Sequence, residues 1–339
     1  MFLVEKATIT SHFKSITKKP SLIPKSYQQA SRSFDEQVIF HLKTLAPATD
    51  SSFISLSWMS KAVAFLSTIH AESLDQISSL RSESECFQVL YMDYSIKLLD
   101  LCNLISSAVQ QLTERRMLMN LSLRLMNSSG QITSGQIPVP EKLIKAKDAL
   151  IRSVRHSEET TPEKYQRAKD LIGELISGIN SFPIVKVTNG RDLIKRTLHG
   201  LGILTVFISS VLVCIVYGQS DLVEYRVPAE FLWSDSVNNV QKQMFNLIKS
   251  KSKLLELEDT ASRVVPFCDL LDEASVLDGD GGEERRVRFV NGVREFGKVV
   301  TKYSNGVDEL TNGVNGLFSS VLKTRNGVLD GVRKGVWLV

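Results

Sequence analysis

The sequence predicts an all-α fold: an elongated antiparallel helical bundle around one very apolar central helix, with a C-terminal heptad helix packed back on it. Three observations carry that prediction. A charge-free run from Thr197 to Ser220 encloses the stretch LGILTVFISSVLVCIVYG, Leu201 to Gly218. Elsewhere apolar residues recur at three- and four-residue steps, the spacing of one helix face. Near the C terminus, valines recur every seven residues, which is the period of a helix docked along another helix.

Composition bounds the function. The chain of 339 residues is 43% hydrophobic, enough for a sizeable core and unlike a disordered segment. Lys plus Arg number 41 and Asp plus Glu 37, a net +4 that gives no ground for a nucleic-acid partner. The four cysteines, Cys86, Cys102, Cys214 and Cys268, show neither metal nor disulfide spacing, which favours a reducing compartment.

Residues 1–33 carry Lys6, Lys14, Lys18, Lys19, Lys25 and Arg32 against a single acid, Glu5. They read as a basic, disordered arm suited to acidic lipid, although the hydroxyl-rich composition also suits an organelle transit peptide. Folded structure is expected at Ser33, because Ser33-Phe34-Asp35-Glu36 has the spacing of a capping box. The first helix should stop before Pro47. A second, from Ser52 to about Leu80, carries Phe53, Leu56, Met59, Val63, Leu66 and Ile69. A third, long one from Ser84 to Asn127 carries Phe87, Leu90, Tyr94, Leu98, Leu101, Ile105, Val109 and Leu112. Helices of this length gain most of their stability from one another, which implies a bundle.

Residues 128–140 form a turn-rich linker, and a fourth helix follows to about His156. Thr160 and Glu163 again have capping-box spacing, with Pro162 in the first turn of a fifth helix that ends near Asn180. Asn189-Gly190 reads as a turn leading into the apolar helix, 198–218. That helix is long enough to cross a bilayer, for which about 20 apolar residues suffice. Arg191, Lys195 and Arg196 before it and Asp221 and Glu224 after it would leave the N-terminal bulk in the cytoplasm. Thr205, Ser209, Ser210 and His199 soften it, and a helix apolar all round is equally a buried core helix. Both readings stand at this point. After Val227-Pro228 one long helix should run through Trp233, Val240, Met244, Ile248 and Leu257 until Pro266 ends or kinks it.

Asp278 to Glu283 has the wrong register for a calcium loop, so 278–284 reads as a flexible acidic linker. In the segment 285–339, Val293, Val300, Val307, Val314, Val321 and Val328 are seven apart, and Phe296, Tyr303, Leu310 and Leu317 each follow a valine by three. Gly292, Gly306, Gly313 and Gly327 flank this seam. Each weakens a helix by about 1 kcal/mol relative to alanine, so the helix needs a partner, and small flanking residues permit close approach within the molecule. The domain reading is therefore arm 1–33, bundle 34–277, linker 278–284 and heptad helix 285–339.

No catalytic, cofactor-binding or metal residue is assigned. His12, His41, His70, His156 and His199 lack metal-ligand spacing, and His70-Ala71-Glu72 lacks the later cysteines of a zinc deaminase. No nucleophile elbow, phosphate loop or dinucleotide fingerprint is present. Glu114-Arg115-Arg116 and Lys142, Lys145 and Lys147 read as solvated faces.

Several stretches are similar to the plant BYPASS and ROH proteins: SLSWMS from Ser55, DYSIKLLDLC from Asp93, Thr205-Val206-Phe207, Phe231-Leu232-Trp233 and VLKTR from Val321. The resemblance spreads from about residue 34 to the end. It implies a helical protein without established catalytic residues, acting in plant root and shoot development. One branch of the family restrains production of a mobile, root-derived signal, and another resembles exocyst-interacting factors in vesicle tethering. The expectation is thus a non-catalytic, membrane-associated adaptor on the cytoplasmic face of the endoplasmic reticulum or plasma membrane, with the cytosol or chloroplast as the other compartments. Protein partners, exocyst subunits among them, are expected, the oligomeric state is left open, and Trp58 and Trp233 should be core residues. An enzyme acting on a signal precursor is the remaining reading. It requires an enclosed cavity near His70, His199 or Glu72.

Overall fold

The computed structural model describes residues 23–45, 53–78, 84–127, 137–155, 162–184, 186–250, 254–275 and 283–333. Within them lie nine α-helices, one 3-10 turn at Lys43–Leu45, and no strand beyond an isolated bridge between Ile54 and Leu254. The helices are α1 (Ile23–Leu42), α2 (Leu56–Ser78), α3 (Ser84–Asn127), α4 (Pro140–Arg155), α5 (Pro162–Asn180), α6 (Gly190–Val216), α7 (Ser234–Lys249), α8 (Leu255–Ser275) and α9 (Glu283–Arg333). At 44 and 51 residues, α3 and α9 are about 65 and 75 Å long, which makes the bundle elongated.

The apolar run forms the middle of α6, and every residue from Thr197 to Cys214 is buried. Helices α1, α2, α3, α5 and α7 surround it. Although α6 has the length and composition of a membrane span, its most apolar window is 89% buried by protein, so in this fold it is the core helix. Two glycines let neighbours come close. A Cβ at Gly202 would stand 2.9 Å from Ile179 of α5, and one at Gly200 3.2 Å from the Phe231 ring.

The second axis is α9. It runs antiparallel to α3, with Tyr303 opposite Leu112 and Arg325 opposite Met92. It runs parallel to α2, with Gly306 against Leu56 and Gly313 against Val63. All the heptad valines and their partners Phe296, Tyr303, Leu310 and Leu317 are buried, and they belong to the same core as α6. Helices α4 and α8 close the other end of α3 and α9, where Phe267 and Phe296 stack at 4.7 Å. Close approach to the heptad helix is realised at Gly292, Gly306 and Gly313 but not at Gly327, which faces open space.

The ends of elements depart from expectation where buried contacts outweigh local signals. Ser33 lies inside α1, which begins at Ile23, so Ser33-Phe34-Asp35-Glu36 is not a cap; Phe34 and Asp35 point into the core. The predicted turn at Asn189 is instead the N-cap of α6, with Asn189 Oδ1 accepting from the Asp192 amide at 2.9 Å. The single helix expected after Pro228 is two, α7 and α8, and α8 continues through Pro266 to Ser275. One missing backbone donor costs less than the burial of Phe267, Cys268, Leu271 and Ala274 gains. Thr160, most of the 128–140 stretch and residues 276–282 lie outside the described residues, as does most of the N-terminal arm.

The start of α2 is held by the start of α8. Glu256, buried, accepts from the Leu56 amide at 2.9 Å, and the Leu255 amide donates to the Ile54 carbonyl at 2.9 Å. A carboxylate at a helix N-terminus satisfies an orphan amide and complements the helix dipole.

Candidate functional site

The densest polar cluster joins α1, α6 and the turn at 230–233. Four residues apart on one face of α1 sit Ser31 and Asp35, and Arg196 of α6 reaches both. Arg196 Nε donates to Ser31 Oγ at 2.7 Å, and its Nη2 donates to Asp35 Oδ2 at 2.5 Å and to the Glu230 carbonyl at 3.1 Å. Trp233 Nε1 donates to Asp35 Oδ1 at 3.0 Å. The guanidinium lies 4.3 Å above the Phe231 ring, a cation–π contact. Burial raises the Asp35 carboxyl above its usual range, against the pull of Arg196 and the donors from Leu232 and Trp233. Beside the cluster opens a cleft of about 620 Å³, with Lys186, Ile184, Val187 and Leu232 on its walls and Arg196 at its base.

A second cluster is sealed. His70 Nε2 is hydrogen-bonded to Tyr91 Oη at 3.0 Å, Tyr94 Oη to Thr205 Oγ1 at 2.8 Å, and Arg325 donates to the Met92 carbonyl and Ser95 Oγ. Burial drives the His70 imidazole down to about 4. His199, on α6, falls to about 4 through burial and the nearby Arg196. The Cys102 thiol is pushed up to about 12 by burial and is therefore no nucleophile at neutral pH. These groups tie α2, α3, α6 and α9 together. The clefts beside Arg196, between α3 and α9 and at Phe289 are lined by other residues than His70, His199 and Glu72. Among the described residues no three His, Cys, Asp or Glu side chains are grouped as metal ligands.

A third feature is a groove of about 460 Å³ between α3 and α9, lined by Arg116, Met117, Leu121, Arg124 and Ser304. Met117 is 60% and Leu121 47% exposed, one turn apart on a face that no helix of the fold covers. The charge run just before it is not a solvated face throughout. Arg115 is buried beside Tyr303, its guanidinium pKa lowered by burial, and Arg116 pairs with Asp308. Lys147 pairs with Asp272 across α4 and α8.

Sequence reasoning placed Trp58 and Trp233 in the core, and both are there. Trp58 Nε1 donates to the Leu45 carbonyl at 3.0 Å. The Asp35–Arg196 pair was missed because it joins positions far apart in the chain. The available signal was an acid on an otherwise inward-facing position next to Phe34.

Comparison with known proteins follows this geometry. No family model matches the chain, and no solved structure matches it. Protein BPS1, chloroplastic, of Arabidopsis thaliana is 26% identical over 332 residues, covering 95% of this chain and 88% of that protein. UPF0496 protein 4 of Oryza sativa subsp. japonica and its subsp. indica counterpart are each 28% identical over 225 residues, 64% of this chain. The chain matches about half the length of the rice proteins, 47%. With the similarity to BPS1 running nearly end to end through the helical core, the chain is similar to the BYPASS-like proteins along almost its whole length.

Proposed function

We propose that this protein is a non-catalytic regulator of plant root and shoot development, working as a helical adaptor that docks a partner protein in the α3–α9 groove. Kinship with BPS1 supports the regulatory, non-enzymatic class. The observation that carries the adaptor reading is the exposed pair Met117 and Leu121, apolar residues on the outward face of a helix whose other face the fold already buries. Methionine adapts its shape to varied partners, and Arg124 beside it offers a charge for orientation. Candidate partners include vesicle-tethering subunits such as those of the exocyst. Attachment to membranes, on this reading, is electrostatic and uses the lysines of the first 33 residues, since α6 is enclosed by protein.

Proximity labelling in plant cells, comparing the wild type with Met117→Asp/Leu121→Asp, tests the docking. Loss of a defined set of neighbours from the variant, with unchanged helicity, is the expected result; identical sets overturn the groove as the docking site. Fractionation tests the attachment. Release by high salt is expected, whereas resistance to carbonate means an integral span. Recovery from the chloroplast stroma would transfer the adaptor to that compartment, in keeping with the word chloroplastic in the Arabidopsis relative's name.

A further inference from the structure

The cleft beside Arg196 is unused by the adaptor reading, and three independent features mark it. Arg196 and Asp35 both line the cleft and form a pair of unequal exposure, 12% for the arginine side chain and 2% for the aspartate, so the cation presents the larger surface to it. The Asp35 oxygens are turned inward to Trp233 and Leu232 as well as to Arg196. Arg196 Nη1 is buried without a hydrogen-bond partner, while Nε and Nη2 are engaged. A buried donor left without an acceptor is costly.

The second feature is Lys186, on the wall of the same cleft, exposed and without an ion pair among the described residues. The third is the apolar part of the lining. Ile184, Val187 and Leu232 share the cleft with these cations, and Leu232 is 57% exposed although the turn it occupies is fixed by its neighbours Phe231 and Trp233, both fully buried. Glu230 and Asp35 also line the cleft, Asp35 paired with Arg196, and Arg32 there is paired with Glu36. A volume of about 620 Å³ is that of a small-molecule site, and an apolar wall with a few convergent polar groups is the usual constitution of one.

We infer that this cleft binds a small organic anion, a carboxylate or phosphate monoester on a short apolar body, its head between Arg196 and Lys186 and its body against Ile184, Val187 and Leu232. The head faces the exposed part of the guanidinium, and the body covers Leu232. Because the site lies away from the α3–α9 groove, the proposal holds or fails separately from the adaptor reading.

The test uses the full chain and three probes of equal chain length: octanoate, octyl phosphate and octylamine. Calorimetric titration and thermal melting should show one-to-one binding of at least one anion and none of the amine. The relative affinities of octanoate and octyl phosphate identify the head. Lys186→Glu and Leu232→Asp both change exposed side chains, so each should melt like the wild type without probe and bind the anion at least about tenfold more weakly. The proposal is overturned if neither anion binds below about 1 mM, if octylamine binds as well as the anions, or if both variants bind as the wild type does.

Discussion

Gly306 of α9 lies so close to Leu56 of α2 that a Cβ on the glycine would stand 2.8 Å from the Leu56 Cβ. That atom is fixed to the backbone and cannot turn aside. Gly316, ten residues further along α9, has nothing within 4 Å of the same position.

The two glycines should therefore respond to alanine with opposite signs. Gly316→Ala removes a helix-weakening residue and should stabilise the protein by roughly 0.5–1 kcal/mol. Gly306→Ala gains the same propensity but forces α2 and α9 apart, with an expected net loss of about 1–3 kcal/mol. Urea unfolding of both variants checks this. Equal shifts in one direction would mean that α9 is not pressed against α2.

Val307 and Val314 sit in the buried seam of α9 at 0% and 2% exposure. Replacing both with aspartate places two unpaired carboxylates in an apolar interface, at a cost of several kcal/mol. Limited proteolysis gives the readout. In the wild type, α9 should resist digestion, whereas the double variant should lose it. A wild-type α9 digested as fast as the first residues of the chain would show that the seam is not docked in solution.

Asp35→Asn should leave the Arg196 guanidinium without its counter-charge in a mostly buried position, costing about 3–5 kcal/mol. Trp233→Phe removes the donor to Asp35 Oδ1 and part of a fully buried ring but keeps the ion pair, and should cost less, about 1–3 kcal/mol. Thermal melting that ranks the two variants in the reverse order would assign the stability of the junction to the indole rather than to the ion pair.

Acid should loosen the fold through His70 and His199, whose imidazoles are lowered from 6.5 to about 4. Between those values the unfolded chain binds protons that the folded chain refuses. Stability is thus complete above the ordinary histidine range and falls as the pH drops from 6.5 towards 4, by at most about 1.4 kcal/mol per pH unit for each histidine. Asp35, raised by burial, works in the opposite sense at the acid end, because the folded form takes up its proton first. Urea midpoints measured from pH 7 to 4 should fall less steeply in His70→Gln than in the wild type. A slope unchanged by that substitution would remove His70 as a source of the acid sensitivity.

Much of the fold was legible because its strongest signals are periodic. The seven-residue spacing of valines located the buried seam of α9, and the span of α3 follows from its apolar stripe alone. Periodicity says which face is inward but not where a helix ends. Ser33 has capping-box spacing, yet α1 continues across it because Asp35 and Phe34 find partners on α6 and the 230–233 turn. Pro266 is tolerated for the same reason, with Phe267 stacked on Phe296 from another helix. The cleft at Arg196 was illegible. Its walls come from α1, the segment before α6 and the turn before α7, and no spacing within one stretch encodes that meeting. Arg191, Lys195 and Arg196 form a charged flank in sequence, yet Arg196 is turned inward to close a polar network.

The course of α9 also sets the order in which the molecule can be completed. Its partners lie near the beginning of the chain: the Tyr303 hydroxyl reaches the Leu112 carbonyl across 191 positions, and Arg325 reaches Met92 across 233. While the chain emerges from the ribosome, α2 and α3 must wait with their apolar faces uncovered until α9 has been made. Contacts so distant in sequence slow folding, and the waiting surface is prone to self-association. Truncation within α9 should therefore yield an aggregating product rather than a smaller soluble bundle.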